Sequence, residues 1–477
     1  MFTTETPAGL LQRRWVAGHP ILLAILFAIP LALALPAEAV AKKLTLPELL
    51  DMARTTNAGL AATAAATDAM EAQVSEARRN WLPSGDVLSI LAPSPNIHCK
   101  TVLDGGGGVE NCTSTYINEP TPQNTLSNLS GVFTRTEVKL VQPIWDFGKI
   151  SAGVSAARAG VGVARAREAS ARADLELNVR KAYYGYKLAR DLLSTLEEGS
   201  GYIDDGQKRV DKDLAAGTGT VTVTDKLRLR TIRAEVDARL LEAKRLGNLA
   251  RDSLRVLVGV SGELEIDDEP LEPIEVRDRP LAYYEDQARF NRPEVQMLDH
   301  AVKAKWALAD LERRKEYPDL ILVGTAALAH ASSVDNPQNA FLSHYYNTAT
   351  AGIAAALRVQ LDLGPKLARA DRTRAEAREI EFRRTEALGG IALEVRRAYG
   401  EVTEATDRTE ALRKGEKAGK AWISAVAQNF TVGLAEARDL SDALLAFFQM
   451  RARYLQSVFD LNVASAALAR ATGASAL

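Results

Sequence analysis

The sequence predicts a mainly α-helical protein with a small β part, in which one order of helices and strands occurs twice. Three observations lead to this prediction: the spacing of the prolines, two segments of alternating polarity, and an internal alignment of the two halves. Hydrophobic residues make up 47% and charged residues 25% of the 477, so the chain can bury a core. The net charge of −2 does not favour a nucleic-acid partner, because such binding requires a basic surface.

The N-terminal segment differs from the rest of the chain. Arg13 and Arg14 precede an apolar run over residues 21–35, and small residues around Ala39 follow it. This order of charged, apolar and small residues predicts a cleavable secretory signal over residues 1–41. A retained membrane anchor is the alternative, but the run is shorter than the roughly 20 residues that a spanning helix needs.

The chain has two cysteines, Cys99 and Cys112, in a segment that lacks a helical pattern. In an exported protein such a pair predicts a disulfide. The alternative is a metal site, but only His98 adjoins the pair and no further cluster of Cys or His supplies ligands. We therefore expect no metal and no cofactor.

The spacing of the prolines predicts very long helices. None occurs between Pro143 and Pro270 or after Pro365. Proline inside a helix costs about 3 kcal/mol or more, so both tracts permit long helices, and apolar residues recur there at helical spacing. A helix over residues 150–216 would be roughly 100 Å long at about 1.5 Å per residue. That length favours a coiled-coil-like tube wall or rod over a compact globule.

The two halves of the chain align with each other. Residues 46–83 align without a gap with residues 281–318, and residues 146–183 align with residues 362–399. Each copy is predicted to contain a helix, a strand pair, a long helix, a turn and a returning helix. Prolines mark the segment between the copies as a linker. The predicted bounds are 42–260 for the first copy, 261–280 for the linker, 281–473 for the second copy and 474–477 for a C-terminal tail.

Two segments between the helical tracts alternate in polarity. Residues 132–140 and residues 349–359 each place apolar residues on one face and polar residues on the other. This alternation is a weak signature of a membrane β-barrel wall, and aromatic residues at the strand ends match interface girdles. An ordinary soluble hairpin with one buried face remains the alternative. In lipid the sheet must close, and the smallest bacterial barrels have about eight strands, so the four strands predicted here would require several copies.

These features in this order resemble TolC and the outer membrane efflux protein family. The signal, the duplicated unit and the strand end Gln142–Gly148 carry the resemblance, which covers about Lys42–Gly473. It implies a homotrimeric tube, in which four strands per chain form a twelve-stranded transmembrane β-barrel that continues into a long periplasmic α-helical coiled-coil barrel. The implied strands are 84–91, 130–145, 319–329 and 348–362, with extracellular loops 92–129 and 331–346, the first stapled by Cys99–Cys112.

The resemblance also implies a function. The chain would be the outer-membrane exit duct of a tripartite efflux pump or of a type I secretion system, and would conduct substrates passively. Because a passive tube has no energy source, its implied partners are a periplasmic adaptor (membrane fusion protein) and an inner-membrane transporter, besides outer-membrane lipid. The alternative is a periplasmic coiled-coil scaffold or adaptor without a barrel. We expect no enzyme, since catalytic triad spacing and phosphate-binding loops are absent from the sequence.

The resemblance places the periplasmic entrance where each long helix turns back. The two tips match residues 217–225 and 430–442. Asp439 and Asp442 fall where the family has aspartate rings that narrow the entrance and favour cations, as charged rings do in cation pores. The alternative role is simpler, because acidic residues at a helix N-terminus also interact favourably with the helix dipole.

The residues that would close the entrance depart from the family. Phe430 and Ala435 stand where the best-known member has a tyrosine and an arginine, and neither can make the polar bonds of that lock. Asp225 matches the carboxylate of the lock, and Arg438 is the candidate to replace the missing arginine. We therefore expect coiled-coil packing to hold the entrance closed. The residues expected at the adaptor-docking tips are Gly217, Gly219, Val432 and Gly433.

Overall fold

The computed structural model of the chain describes residues 43–104, 107–113, 129–217, 221–336, 346–432 and 434–474. The predicted signal over 1–41 therefore lies outside the described residues. The helices are α1 (Leu46–Thr56), α2 (Ala58–Arg79), α3 (Lys149–Ala216), α4 (Val223–Val258), α5 (Leu281–Asn291), α6 (Pro293–Arg314), α7 (Leu363–Val432) and α8 (Ala437–Thr472). The strands are β1 (Ser84–Pro95), β2 (His98–Asp104), β3 (Gly107–Thr113), β4 (Leu129–Trp145), β5 (Asp319–Ala331) and β6 (Thr348–Arg358).

Two very long helices occupy the proline-free tracts, as predicted. α3 has 68 residues and α7 has 70, so each is roughly 100 Å long at about 1.5 Å per residue. Pro365 lies in the first turn of α7, where a missing N–H leaves no helical hydrogen bond unmade. None of the described helices has both the length and the apolar character needed to cross a membrane.

The elements before each strand pair differ from the prediction, because each predicted single helix is two helices. The first pair separates at Asn57, whose side chain accepts a hydrogen bond from the Leu60 N–H at 3.0 Å and so caps α2. The second pair separates at Arg292, because the following Pro293 disfavours helical backbone in the residue before it. The lengths recur in both series: α1 and α5 have 11 residues, α2 and α6 have 22, and α4 and α8 have 36.

Four strands form one antiparallel sheet in the order β1-β4-β5-β6, so β1 and β6 are its edges. β1 and β5 run longer than expected, to Pro95 and Ala331. β6 is shorter than expected and ends at Arg358, not at Asp362, because Arg358 pairs with Asp319, the first residue of its partner β5. The hairpin β2–β3, inside the predicted first extracellular loop, was not anticipated.

Two apolar clusters occupy matching positions beside the long helices. In the first, Val179 of α3 packs with Leu254 of α4, and in the second, Val395 of α7 packs with Leu468 of α8. Both returning helices end in a glycine with φ +72°, and each glycine touches the end of a short helix. A Cβ on Gly473 would lie 2.6 Å from the Asn291 carbonyl carbon, so only glycine fits this close backbone approach.

The linker between the halves is fixed to the long helices. The Lys187 ammonium lies 2.6 Å from a carboxylate oxygen of Asp267, and the Tyr183 hydroxyl donates to the other oxygen at 2.6 Å. Burial raises the pKa of Asp267, but the hydrogen bonds from Lys187 and Tyr183 outweigh it and leave the pKa below its ordinary value. Further along, the buried Asn462 side chain donates to the Glu272 carbonyl and accepts from the Ile274 N–H.

Candidate functional site

One face of the four-stranded sheet carries no Asp, Glu, Lys or Arg. The apolar residues of the two alternating segments, 132–140 and 349–359, lie on this same face. Val138 of the first segment is opposite Ala326 of β5, and Ile353 of the second is opposite Gly324 of β5. Ala326 and Gly324 are two residues apart and therefore lie on one face of β5. We call this face of the sheet the apolar face. Its members in β1, β4, β5 and β6 are Gly85, Val87, Ser89, Leu91, Pro93, Val132, Thr134, Thr136, Val138, Leu140, Gln142, Leu320, Leu322, Gly324, Ala326, Leu328, His330, Ala349, Ala351, Ile353, Ala355 and Leu357.

No described residue of the chain covers the apolar face. The exposed fraction is 69% for Val87, 75% for Leu91, 65% for Leu328 and 78% for Ile353. An ordinary soluble hairpin would bury such a face against its own core. An exposed apolar surface of this extent indicates contact with lipid or with another protein.

The opposite face of the sheet, the polar face, carries the charges. Arg135 forms an ion pair with Glu137 on the same strand. Near the helical end, Asp319 accepts from Lys149 at 2.6 Å and lies 3.3 Å from Arg358. Alternation of an uncharged apolar face with a charged face is the pattern of a strand between lipid and a water-filled lumen.

Aromatic residues gather where the sheet meets the helices. The rings of Trp145 and Phe147 meet edge to face at 6.2 Å, and the rings of Phe147 and Tyr317 stack at 5.7 Å. Trp81, three residues before β1, is exposed. Amphipathic rings in this position match the girdle found where membrane strands reach the headgroups.

The first helical tip ends α3 and begins α4. Gly217 closes α3 in the left-handed region with φ +64°, and Gly219 lies outside the described residues. Among the described residues, Asp225 has no partner across the tip. It caps α4, because its carboxylate accepts from the Thr222 N–H at 3.0 Å and from the Thr222 hydroxyl at 2.6 Å. These bonds hold the pKa of Asp225 below its ordinary value.

The second tip is built in the same way. Asp439 accepts from the Glu436 N–H at 3.2 Å and so caps α8. Asp442 lies 3.8 Å from Arg438, one turn away on the same helix. Asp439 and Asp442 are both exposed. Arg438, the candidate partner of Asp225 in a closing lock, pairs with Asp442. The neighbours of Asp225 are instead Thr222 and Arg228. Val432 is exposed at the end of α7, and Gly433 lies outside the described residues.

Phe430 is buried in an apolar cluster that joins α3, α4, α7 and α8 at the tips. Ile203, Leu229 and Leu444 belong to this cluster, and Ala435 packs against its edge. The guanidinium of Arg209 on α3 lies 5.5 Å from the Phe430 ring centre and donates to the Thr431 carbonyl at the end of α7. The sequence analysis did not identify Arg209, because its partners are more than two hundred residues away in the chain.

Residues 123–260 and 285–474 match the outer membrane efflux protein family. The chain belongs to the outer membrane efflux protein family. It is also 26% identical over 345 residues to the cobalt-zinc-cadmium resistance protein CzcC of Cupriavidus metallidurans, covering 70% of this chain and 77% of CzcC.

Solved structures of similar proteins agree with this fold. The CmeC outer membrane channel of Campylobacter jejuni superposes with a TM-score of 0.70 over 90% of this chain and 85% of CmeC, at 15% identity. The open state of the MtrE channel of Neisseria gonorrhoeae gives a TM-score of 0.65 over 90% of this chain and 89% of MtrE, at 19% identity. The chain is thus an outer membrane efflux protein with the fold of the solved outer membrane channels.

The two cysteines lie directly opposite each other in the hairpin β2–β3. Cys99 is the register partner of Cys112. Opposed residues of an antiparallel pair have Cα atoms about 4.5–5.5 Å apart, which is within the range that a disulfide spans. The backbone therefore permits the predicted disulfide.

Proposed function

We propose that three copies of this efflux protein close one barrel and act as the passive exit duct of a tripartite efflux pump. The observation that carries the proposal is the apolar face, which has no formally charged side chain on any of its four strands and is exposed in the single chain. Because unpaired backbone groups cost several kcal/mol each in lipid, the edge strands β1 and β6 require partners from neighbouring copies. Three copies, as in the related family, supply twelve strands.

The helical tips are the proposed docking site for a periplasmic adaptor, beyond which lies an inner-membrane transporter. Apolar side chains that a docked protein would bury are exposed there. They are Val223, Leu227, Val432 and Leu434. Gly217 ends α3 beside them, and Gly219 and Gly433 are proposed docking residues from the same stretches of sequence.

Membrane fractionation tests the central proposal. We expect the full-length protein to stay with the outer membrane after washing without detergent, and to run on gels as a trimer that heating dissociates. A protein released by the wash would instead support the periplasmic scaffold. A planar bilayer experiment then checks that the purified trimer conducts ions.

Asp439 and Asp442 are the proposed acidic constriction of the entrance. Arg438 lies beside Asp442, so three copies would carry six carboxylates and three guanidinium groups, a net negative ring that favours cations. Replacing both aspartates by alanine should lower the cation selectivity of the channel, whereas Arg438→Ala should raise it. Unchanged reversal potentials in both variants would assign these aspartates to helix capping alone.

Divalent metal cations are the proposed cargo. An acidic entrance suits cations, and CzcC is by name a cobalt-zinc-cadmium resistance protein. Deletion of the gene should lower tolerance to cobalt, zinc or cadmium and leave tolerance to apolar drugs unchanged. The reverse pattern would point to drug efflux and would leave the channel proposal intact.

A further inference from the structure

Short chain segments cross the end of the sheet that lies away from the helices. We call residues 94–97, 332–335 and 346–347 the outer strap. Ile97 and Val334 form a parallel bridge, in which the Ile97 N–H donates to the Ser333 carbonyl at 2.9 Å and the Asp335 N–H donates to the Ile97 carbonyl at 3.0 Å. Ile97 follows β1 and Val334 follows β5, so the bridge passes across the end of β4, which lies between them.

The Asn347 side chain fixes the strap to the sheet. It accepts from the Ala331 N–H at 2.7 Å and donates to the Val334 carbonyl at 2.8 Å. Val334 is buried, as is Ser94 at the end of β1. The strap therefore packs on the sheet and does not project from it.

Two independent contacts show on which face of the sheet the strap lies. Gly131 belongs to the polar face, since it is the register neighbour of Ser94 and alternates with Val132 of the apolar face. A Cβ built on Gly131 would lie 2.2 Å from the Ser333 hydroxyl oxygen and 2.8 Å from the Ser333 Cβ. The side chain of Ser333 thus occupies the space over the polar face at Gly131.

The second contact comes from the other end of the strap. The Tyr346 ring meets the Phe133 ring edge to face at 5.7 Å. Tyr346 precedes β6 and Phe133 lies on the polar face of β4, so the contact reaches across β5. Beneath it, Ala329 and Ala331 of β5 are buried, although they lie on the polar face.

We propose that the outer strap narrows the external mouth of the channel and sets the size of the solutes that leave or enter there. The inference rests on the proposed trimeric barrel, in which the polar face lines the lumen. The Ser333 side chain and the Tyr346 ring stand over the polar face, so three straps would narrow the mouth. The hydroxyl groups of Ser332 and Ser333 lie over the polar face at Gly131, which suits small hydrated solutes.

The test compares two glycines of the polar face. In Gly131→Val the new Cβ would lie 2.8 Å from the Ser333 Cβ, which is too close. The Ser333 Cβ cannot move without its backbone, so the substitution must displace this part of the strap. Gly352→Val is the matched control, since the nearest atom to its new Cβ, the Thr325 hydroxyl oxygen, is 3.9 Å away. The width of the mouth is measured on trimers in planar bilayers, with polyethylene glycols of graded size added to the external side. A polymer small enough to enter lowers the conductance, and one that is too large does not. The size at which the conductance stops falling is the external size limit.

We expect the external size limit to shift to larger polymers in Gly131→Val, with no shift in Gly352→Val and none from the periplasmic side in either variant. Tyr346→Ala, which removes the second contact without adding bulk, should shift the limit in the same direction. An external limit that stays at the wild-type value in the assembled Gly131→Val and Tyr346→Ala trimers would overturn the inference. Absence of trimers or of conductance in the wild type would instead refute the proposed function.

Discussion

The sheet exposes apolar side chains, whereas the helical tips bury them. At the sheet, Val87 and Ile353 lie on a face that the chain leaves uncovered. At the tips, Phe430 and Leu444 are buried in a cluster to which all four long helices contribute. One chain therefore completes the packing of its own tip, whereas its sheet requires lipid and neighbouring copies. Assembly of the channel should depend on the sheet, and local stability of the entrance on contacts within each chain.

The largest expected effect separates the two faces of the sheet. Ile353→Arg puts a charge on the apolar face, at a cost of about 2–4 kcal/mol per subunit near the bilayer centre, and should abolish heat-dissociable trimers in the outer membrane. Ala354→Arg, one residue further and on the polar face, should assemble. Equal assembly of the two variants would show that the apolar face does not meet lipid.

The next effect should be confined to the tip. Phe430→Ala removes a buried ring, a change that typically costs about 3–5 kcal/mol, and leaves Arg209 without its aromatic neighbour. Amides at the ends of α3 and α7 should then exchange hydrogen faster, while the amount of trimer stays the same. Val432→Ala is the control, because Val432 lies two residues further along but is exposed. Loss of trimers in Phe430→Ala would mean that the tips and the sheet do not act independently.

The smallest effect should come from the caps of the returning helices. Asp225→Ala removes the carboxylate that accepts two bonds from Thr222, so a loss of about 1 kcal/mol at the start of α4 is expected. Because the pKa of Asp225 is lowered in the folded chain, its contribution is present above the ordinary pKa of an aspartate, about 3.9. It is lost as the pH falls through the folded value.

Hydrogen exchange at the first turn of α4, measured from neutral to acidic pH, checks this prediction. The wild type should approach the Asp225→Ala variant at the acid end of the range. Asp439→Ala is the matched change at the second tip, where the carboxylate accepts from the Glu436 N–H. A difference between wild type and Asp225→Ala that persisted unchanged in acid would exclude the ionised carboxylate as the cause.

Much of the fold could be predicted because it depends on neighbours in the sequence. The absence of proline after Pro365 and the helical spacing of apolar residues predicted α7, and alternation over residues 132–140 predicted β4. The split of each short helix into two was missed, although Pro293 was a usable signal for the second split. For Asn57 the signal was weaker, because asparagine is common both in helix caps and in turns.

The candidate site was predicted less completely. For Asp439 and Asp442 the sequence did not distinguish a ring from a cap. In the structure both lie in the first two turns of α8, and Asp439 accepts the capping bond. Arg209 and Gly131 were not identified. Their neighbours, Thr431 and Ser333, are about two hundred residues away, and no local pattern encodes such a meeting.

The sequence by itself determined which segments are long helices, where strands alternate in polarity, and that the second half follows the pattern of the first. These properties follow from backbone sterics and side-chain periodicity, which act over a few residues. Only the tertiary structure decided that two distant strands share one apolar face, that Phe430 is buried beneath Arg209, and that the outer strap crosses the polar face. Such contacts depend on which distant segments meet, and therefore on the packing of the whole chain.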